Sequence, residues 1–207
     1  MLIKSVEFAG AVARPGGPKP GVLAEVAFSG KSNVGKSSLI NRLLGRTRTP
    51  VARVSATPGK TQEINFYRVQ ATAQGGSDAP FFLVDLPGYG FARVPVAVRA
   101  KWKPLIESYL GGSPELKGVV QLIDARHDLG AEDRTMVRYL ANLAVPVLFV
   151  LTKVDKLGKR ERPAKLASIT EELGVDPEQV LPFSSKTGEG REDLLQSVET
   201  LLTMESR

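Results

Sequence analysis

Four short runs bring together residue types that could do chemistry. The first is Gly30, Lys31, Ser32, Asn33, Val34, Gly35, Lys36 and Ser37, with Ser38 next along the chain. It satisfies the pattern G-x-x-x-x-G-K-[ST], with a strand-like run before it and a helix-like run after it. In that setting backbone N–H groups and a helix N-terminus make an anion cradle that suits phosphate. Gly30 and Gly35 let the backbone wrap closely, Lys36 would reach β- and γ-phosphates, and the Ser37 hydroxyl would take a Mg2+ position. The second run, Asp85, Leu86, Pro87 and Gly88, ends the apolar stretch 81–84. Alone it reads as a strand-ending turn. Placed 49 residues after Lys36, it matches a switch element. There its carboxylate would hold Mg2+ through water, and the Gly88 N–H would approach a γ-phosphate.

The other two runs suit a base. Thr152, Lys153, Val154, Asp155 and Lys156 follow the apolar run 147–151. An Asp carboxylate accepts hydrogen bonds from guanine N1–H and its 2-amino group, donors that adenine lacks on that edge. The acid therefore selects GTP over ATP. Lys153 would lay its stem over the base and tie back to the phosphate loop. Further on, Ser184, Ser185 and Lys186 offer a backbone N–H near Ser185 for guanine O6.

These runs need elements that hold them side by side. Strands are expected over 2–8, 22–28, 63–69, 81–85, 118–124, 145–152 and 179–183. Helices are expected over 36–44, 96–110, 132–143, 162–173 and 189–202. Short β-branched strands alternating with amphipathic helices imply a three-layer α/β fold. The sheet is expected to be mostly parallel and six-stranded, with one antiparallel edge strand and helices on both faces. Residues 1–21 read as an N-terminal strand and a Pro/Gly-rich loop packed on the same domain, and 22–205 as a single domain. Each chemical run then sits at a strand's C-terminal end, where open α/β sheets bind ligands.

Composition fits that reading. The chain has 207 residues, 42% of them hydrophobic, which suffices for one sizeable core. The absence of cysteine excludes disulfide scaffolds, thiolate zinc sites, iron–sulfur clusters and cysteine nucleophiles. A single histidine, His127, makes a His-rich metal site or a Ser-His-Asp triad hard to build. With Asp124 and Asp128 it reads as loop structure, since it follows a different strand from the phosphate motifs. The longest apolar run, 143–151, is nine residues with a proline, too short to span a bilayer. The N-terminus lacks a signal-peptide layout, so the cytoplasm is the expected location. The net charge of +6 is uneven: residues 1–103 carry 15 basic and 5 acidic side chains, residues 104–207 carry 13 and 17. Between Val26 and Gln62 there are seven basic residues and no acid.

In 25–41, 57–62, 85–90 and 152–156 the chain resembles the translation-factor-related P-loop GTPases. More narrowly it resembles the EngB (YihA/YsxC) ribosome-biogenesis family of the Era/EngA/EngB/TrmE group. The run from Asp85 to Gly90, followed by Phe91 and Ala92, is its most specific feature. Lys31 stands where arginine is expected, a change that keeps the charge. The resemblance implies GTP binding with Mg2+, slow hydrolysis and a part in assembling the large ribosomal subunit. It places Thr57, Pro58, Gly59, Lys60 and Thr61 in a first switch, with Thr61 as a ligand to Mg2+ and the γ-phosphate. Metal ligands would be Ser37, Thr61 and Asp85; Lys36, Thr61 and Gly88 would serve catalysis. It also implies a monomer without an appended RNA-binding module, so contacts to rRNA and pre-50S particles must come from the GTPase surface. The stretch from Arg42 to Lys60 and the group Arg93, Arg99, Lys101 and Lys103 are the basic regions that flank the switches. Trp102 reads as packing under its helix.

Tyr89 stands where a water-orienting glutamine would sit, which implies slow intrinsic hydrolysis. Asn33 resembles the asparagine that binds K+ in potassium-stimulated relatives, and equally suits a tight loop. A tRNA-linked GTPase and a non-catalytic guanine-nucleotide scaffold remain alternative readings.

Overall fold

In the computed structural model the chain runs β1 (Leu2–Val12), β2 (Glu25–Gly30), α1 (Lys36–Leu43), β3 (Ile64–Thr72), β4 (Phe81–Asp85), α2 (Val96–Gly112), β5 (Leu116–Asp124), α3 (Ala131–Ala141), β6 (Val147–Thr152), α4 (Arg162–Leu173), β7 (Val180–Phe183) and α5 (Arg191–Thr203). The structure describes residues 1–52, 63–90, 96–143 and 145–204, without the side chains of 96–102. The strands form one sheet in the order β1-β3-β4-β2-β5-β6-β7. From β4 to β7 all pairs are parallel, while β3 is antiparallel to both β4 and β1. The expected α/β sheet is present, and β1 extends it to seven strands. β1 runs to Val12, beyond the expected 2–8, because β3 supplies partners along its length, from Leu2↔Thr72 to Val12↔Ile64.

Strand pleating divides the core. In β2, Val26 and Phe28 face the cluster with Leu39 and Ile40 of α1 and Leu194 and Val198 of α5. Ala27 faces the other side, with Leu105 and Ile106 of α2 and Leu140 of α3. In β6, Val150 joins the first cluster, while Leu151 packs with Ile169 of α4. Both faces of the central strands are therefore buried, as a parallel sheet between two helical layers requires. Among the described residues no helix is long and apolar enough to cross a membrane.

The Pro/Gly-rich loop after β1 is tied down at the end of β2 away from the chemical motifs. Glu25 is fully buried and accepts from Lys19 Nζ at 2.9 Å, Tyr109 OH at 2.9 Å and Ser113 Oγ at 2.7 Å. Lys19 Nζ also reaches Glu115 at 2.6 Å. Burial works against the Lys19 ammonium, but its hydrogen bonds to Glu115 and Glu25 outweigh it and raise its pKa. Burial, and then the Glu25 carboxylate, raise the Tyr109 phenol. Glu25→Ala strands these donors, so it should cost about 3 kcal/mol in urea unfolding and leave nucleotide affinity unchanged. A loss below about 1 kcal/mol would mean that the network adds little beyond an ordinary hydrogen bond.

Candidate nucleotide-binding site

Sheet register gathers the four motifs at one edge. Phe28 lies opposite Asp85, Gly30 opposite Leu122, Asp124 opposite Thr152, and Thr152 opposite Phe183. The loop 30–37 thus leaves β2 between the ends of β4 and β5, and α1 starts directly after Gly35.

Lys36 is buried and its Nζ pairs with Asp85 Oδ1; Asp85 itself is 4% exposed. Leu86 is fully buried and its N–H donates to Phe28 O at 3.0 Å, and Pro87 is buried beside it. Gly88 lies so close to the loop that a Cβ there would stand 2.9 Å from Ser32 Oγ. The next residue continues this approach as a short parallel bridge between Tyr89 and Lys31, with Ser32 N donating to Tyr89 O at 2.8 Å. Ser37 and Ser38 follow Lys36 on α1 and are half-buried. Ser32 Oγ is buried with no hydrogen-bond partner among the described residues. A buried hydroxyl left in this way beside a lysine and a loop of amides fits an anionic ligand. Ser37 and Asp85 offer the hard oxygen donors that Mg2+ takes. Thr57, Pro58, Gly59, Lys60 and Thr61 lie outside the described residues.

Tyr89 does not turn toward this cradle. Its OH donates to Asp133 Oδ1 at 2.9 Å and accepts from Gln121 Nε2 at 2.7 Å. Burial, followed by the Asp133 carboxylate, raises the phenol well above its usual range, so it stays protonated. Tyr89 therefore pins the switch backbone to β5 and α3.

The base motifs are joined to the loop and to each other. Thr152 Oγ1 donates to Val34 O at 2.7 Å. Lys153 Nζ donates to Asn33 O at 2.5 Å and to Asp124 Oδ2 at 2.8 Å. Asn33 and Lys153 both take left-handed backbone angles, with φ of 64° and 61°. Asp155, half-buried, accepts from Ser184 Oγ at 2.7 Å, and Lys156 is exposed. The loop 184–188 returns to α5 through Gly190, whose φ of 75° and approach to Pro182 O leave no room for a Cβ.

Two residues take places that local sequence does not reveal. Asp124, read as loop structure, lies inside the site and holds Lys153. Burial pushes its carboxyl up, but donors from Arg126 and Lys153 outweigh this and hold it at about 2. Its contribution is full above the ordinary value of 3.8 and is lost as pH falls through about 2. The signal was available only in the strand order, which puts the end of β5 between β2 and β6. Arg42, read as basic surface, instead donates to the carbonyls of Ser185 and Lys186 at 2.7 and 3.0 Å. Arg53, Lys60 and Arg93 lie outside the described residues, as do the side chains of Arg99, Lys101 and Trp102.

A doubly wound sheet with a P-loop pattern after β2, an acid at the end of β4 and the run from Thr152 to Asp155 after β6 defines a P-loop GTPase. The family model for the 50S ribosome-binding GTPase matches residues 25–153, and that for the elongation factor Tu GTP-binding domain matches 106–204. The probable GTP-binding protein EngB of Gemmatimonas aurantiaca is 46% identical over 99% of this chain and 96% of its own. That of Syntrophus aciditrophicus is 48% identical over 96% of this chain and 95% of its own. The chain belongs to the EngB family of GTP-binding proteins.

Solved structures agree on the fold. A crystal structure of a probable GTP-binding protein engB superposes with a TM-score of 0.64 at 21% identity, covering 86% of this chain and 98% of that one. Era in complex with MgGDPNP and nucleotides 1506–1542 of 16S ribosomal RNA gives 0.65 at 25% identity, covering 89% and 58%.

Proposed function

We propose that this GTPase is a slow, nucleotide-dependent switch that acts on pre-50S particles during assembly of the large ribosomal subunit. The observation that carries the reading is the segregation of charge. In the C-terminal half Arg126 and Lys153 pair with Asp124, Arg134 with Glu172, Arg162 with Glu189 and Lys165 with Asp128. The stretch 26–62 has no acid, and within it Arg48 is exposed; Lys103 near the switches is exposed too, although its Nζ lies 3.7 Å from Glu107. Such cations bind RNA phosphates by counterion release, with affinity that falls as salt rises. The family model's description and the rRNA bound to Era support the same partner class.

In this reading Gly30, Lys31, Ser32, Asn33, Val34 and Gly35 wrap the phosphates of GTP, and Lys36 neutralises charge that builds on the γ-phosphoryl oxygens. Ser37, Asp85 and Thr61 would hold Mg2+, directly or through water, and the ion would supply Lewis-acid stabilisation there. Gly88 presents its N–H to the γ-phosphate, so that loss of the phosphate releases the switch. Asp155, Lys153 and the 184–186 loop read guanine. Water attacks the γ-phosphorus in line and GDP departs with the bridging oxygen. The engaged Tyr89 phenol is not available to orient that water, which supports slow turnover until a partner, or K+ beside Asn33, completes the site. The reading takes the protein as a cytoplasmic monomer.

Depleting the protein and resolving ribosomes on sucrose gradients tests the assembly role. Loss of 50S particles with accumulation of lighter precursors is expected. Normal 50S levels would overturn the assembly role and leave the GTPase intact.

A further inference from the structure

Arg42 sits in the last turn of α1, the helix that begins at the phosphate loop, and its side chain crosses to the loop after β7. Nε donates to Ser185 O at 2.7 Å and Nη2 to Lys186 O at 3.0 Å, one planar fork on two successive carbonyls. Arg191, opening α5, reaches back: Nε donates to Arg42 O and Nη2 to Leu43 O, each at 3.0 Å. The end of α1 and this loop are therefore cross-linked in both directions.

The fork has a consequence for the loop's amides. In a planar trans peptide the C=O and the following N–H point opposite ways. Holding Ser185 C=O from α1 turns the Lys186 N–H to the far side. The Gly188 N–H does the same one residue earlier, donating to Ser184 O at 2.8 Å and so aiming the Ser185 N–H. Among the described residues neither of these amides donates to an acceptor, whereas the Thr187 N–H is taken by Ser184 Oγ at 3.2 Å. Ser184 Oγ also donates to Asp155 Oδ1, so the two free amides belong to the loop that is tied to the base-reading acid.

We infer that Arg42 is a specificity-positioning residue, whose fork fixes the Lys186 amide beside the Ser185 amide that Gly188 aims, so that the two form a rigid donor pair for position 6 of the purine. This rests on the reading of Asp155 and the 184–186 loop as the base site. Fixed donors favour a 6-oxo group and oppose a 6-amino group. A loop free to rotate its peptides would accept either.

The test measures binding of GTP, inosine triphosphate and ATP to the full chain. Preference for inosine triphosphate over ATP reports position 6 with N1; preference for GTP over inosine triphosphate reports the 2-amino group at Asp155. Arg42→Gln is expected to narrow the first ratio about tenfold and leave the second unchanged. Ratios of dissociation constants do not depend on the folded fraction, so a loss of stability cannot imitate the result. Arg42→Lys keeps the charge without the fork and should narrow the first ratio as well. An unchanged first ratio in Arg42→Gln, or full recovery in Arg42→Lys, overturns the proposal. If the unsubstituted protein itself fails to prefer GTP over inosine triphosphate, the base-site reading has failed instead.

Discussion

Lys36→Ala is expected to lower kcat/KM for GTP about 10³-fold, a loss of about 4 kcal/mol of transition-state stabilisation. Lys36 is buried at the first turn of α1, and no other lysine or arginine of the loop 30–37 besides Lys31 could replace its charge. Lys31 points elsewhere, toward Glu132 at 3.3 Å. The same substitution leaves Asp85 as a buried carboxylate without its cation, which should cost about 3 kcal/mol in unfolding by urea. Single-turnover hydrolysis and denaturant melts separate the two effects. The double variant Lys36→Ala with Asp85→Asn removes the stranded charge, so it should recover stability and recover no turnover. Turnover within about tenfold of the unsubstituted protein would remove Lys36 from the phosphate chemistry.

Asp155→Asn should reverse the base preference from guanine to xanthine. Two hydrogen bonds to an ionised carboxylate are worth about 4 kcal/mol together, so GTP affinity should fall about 10³-fold while xanthosine triphosphate gains. An amide in that place can accept from N1–H with its oxygen and donate to the xanthine 2-oxo group. The surrounding loop survives the change, because the amide oxygen can still accept from Ser184 Oγ, now 2.7 Å from Asp155 Oδ1. Competition between the two nucleotides reads the outcome directly. An unchanged order of preference would mean that Asp155 does not read the base, and the choice of GTP over ATP would need another origin.

How much of the site could be read beforehand depends on how local each feature is. A phosphate loop is made by the backbone of eight successive residues between a strand and a helix, so spacing alone reveals it. The acids Asp85 and Asp155 each follow an apolar strand, and that too is local. Asp124 follows an apolar strand in the same way, yet that strand carries none of the phosphate motifs, so with His127 and Asp128 it reads as loop structure. Only the pairing of β5 with β2 and β6 brings it within 2.8 Å of Lys153 Nζ. Arg42 misleads for the opposite reason: in a stretch without acids it counts as surface charge, but its partners are backbone carbonyls 143 and 144 residues away. Carbonyls carry no sequence signature.

By itself the sequence determined the motifs: a P-loop pattern, an acid ending one apolar strand, an acid following another, and the alternation of strands and helices that sets them at one edge. Those features depend on spacing and on side-chain type, which are properties of the chain before it folds. Tertiary structure decided which groups hold the site, and the far end of β2, in place. It set Tyr89 against Asp133, Asp124 against Lys153, Arg42 against the 184–186 loop and Lys19 against the buried Glu25. Each of these contacts joins residues at least 29 positions apart or crosses from one element to another, save the six-residue step from Lys19 to Glu25. They exist because a parallel sheet places strands in an order different from that of the chain, and hydrogen bonds then form between whatever groups that order brings into reach.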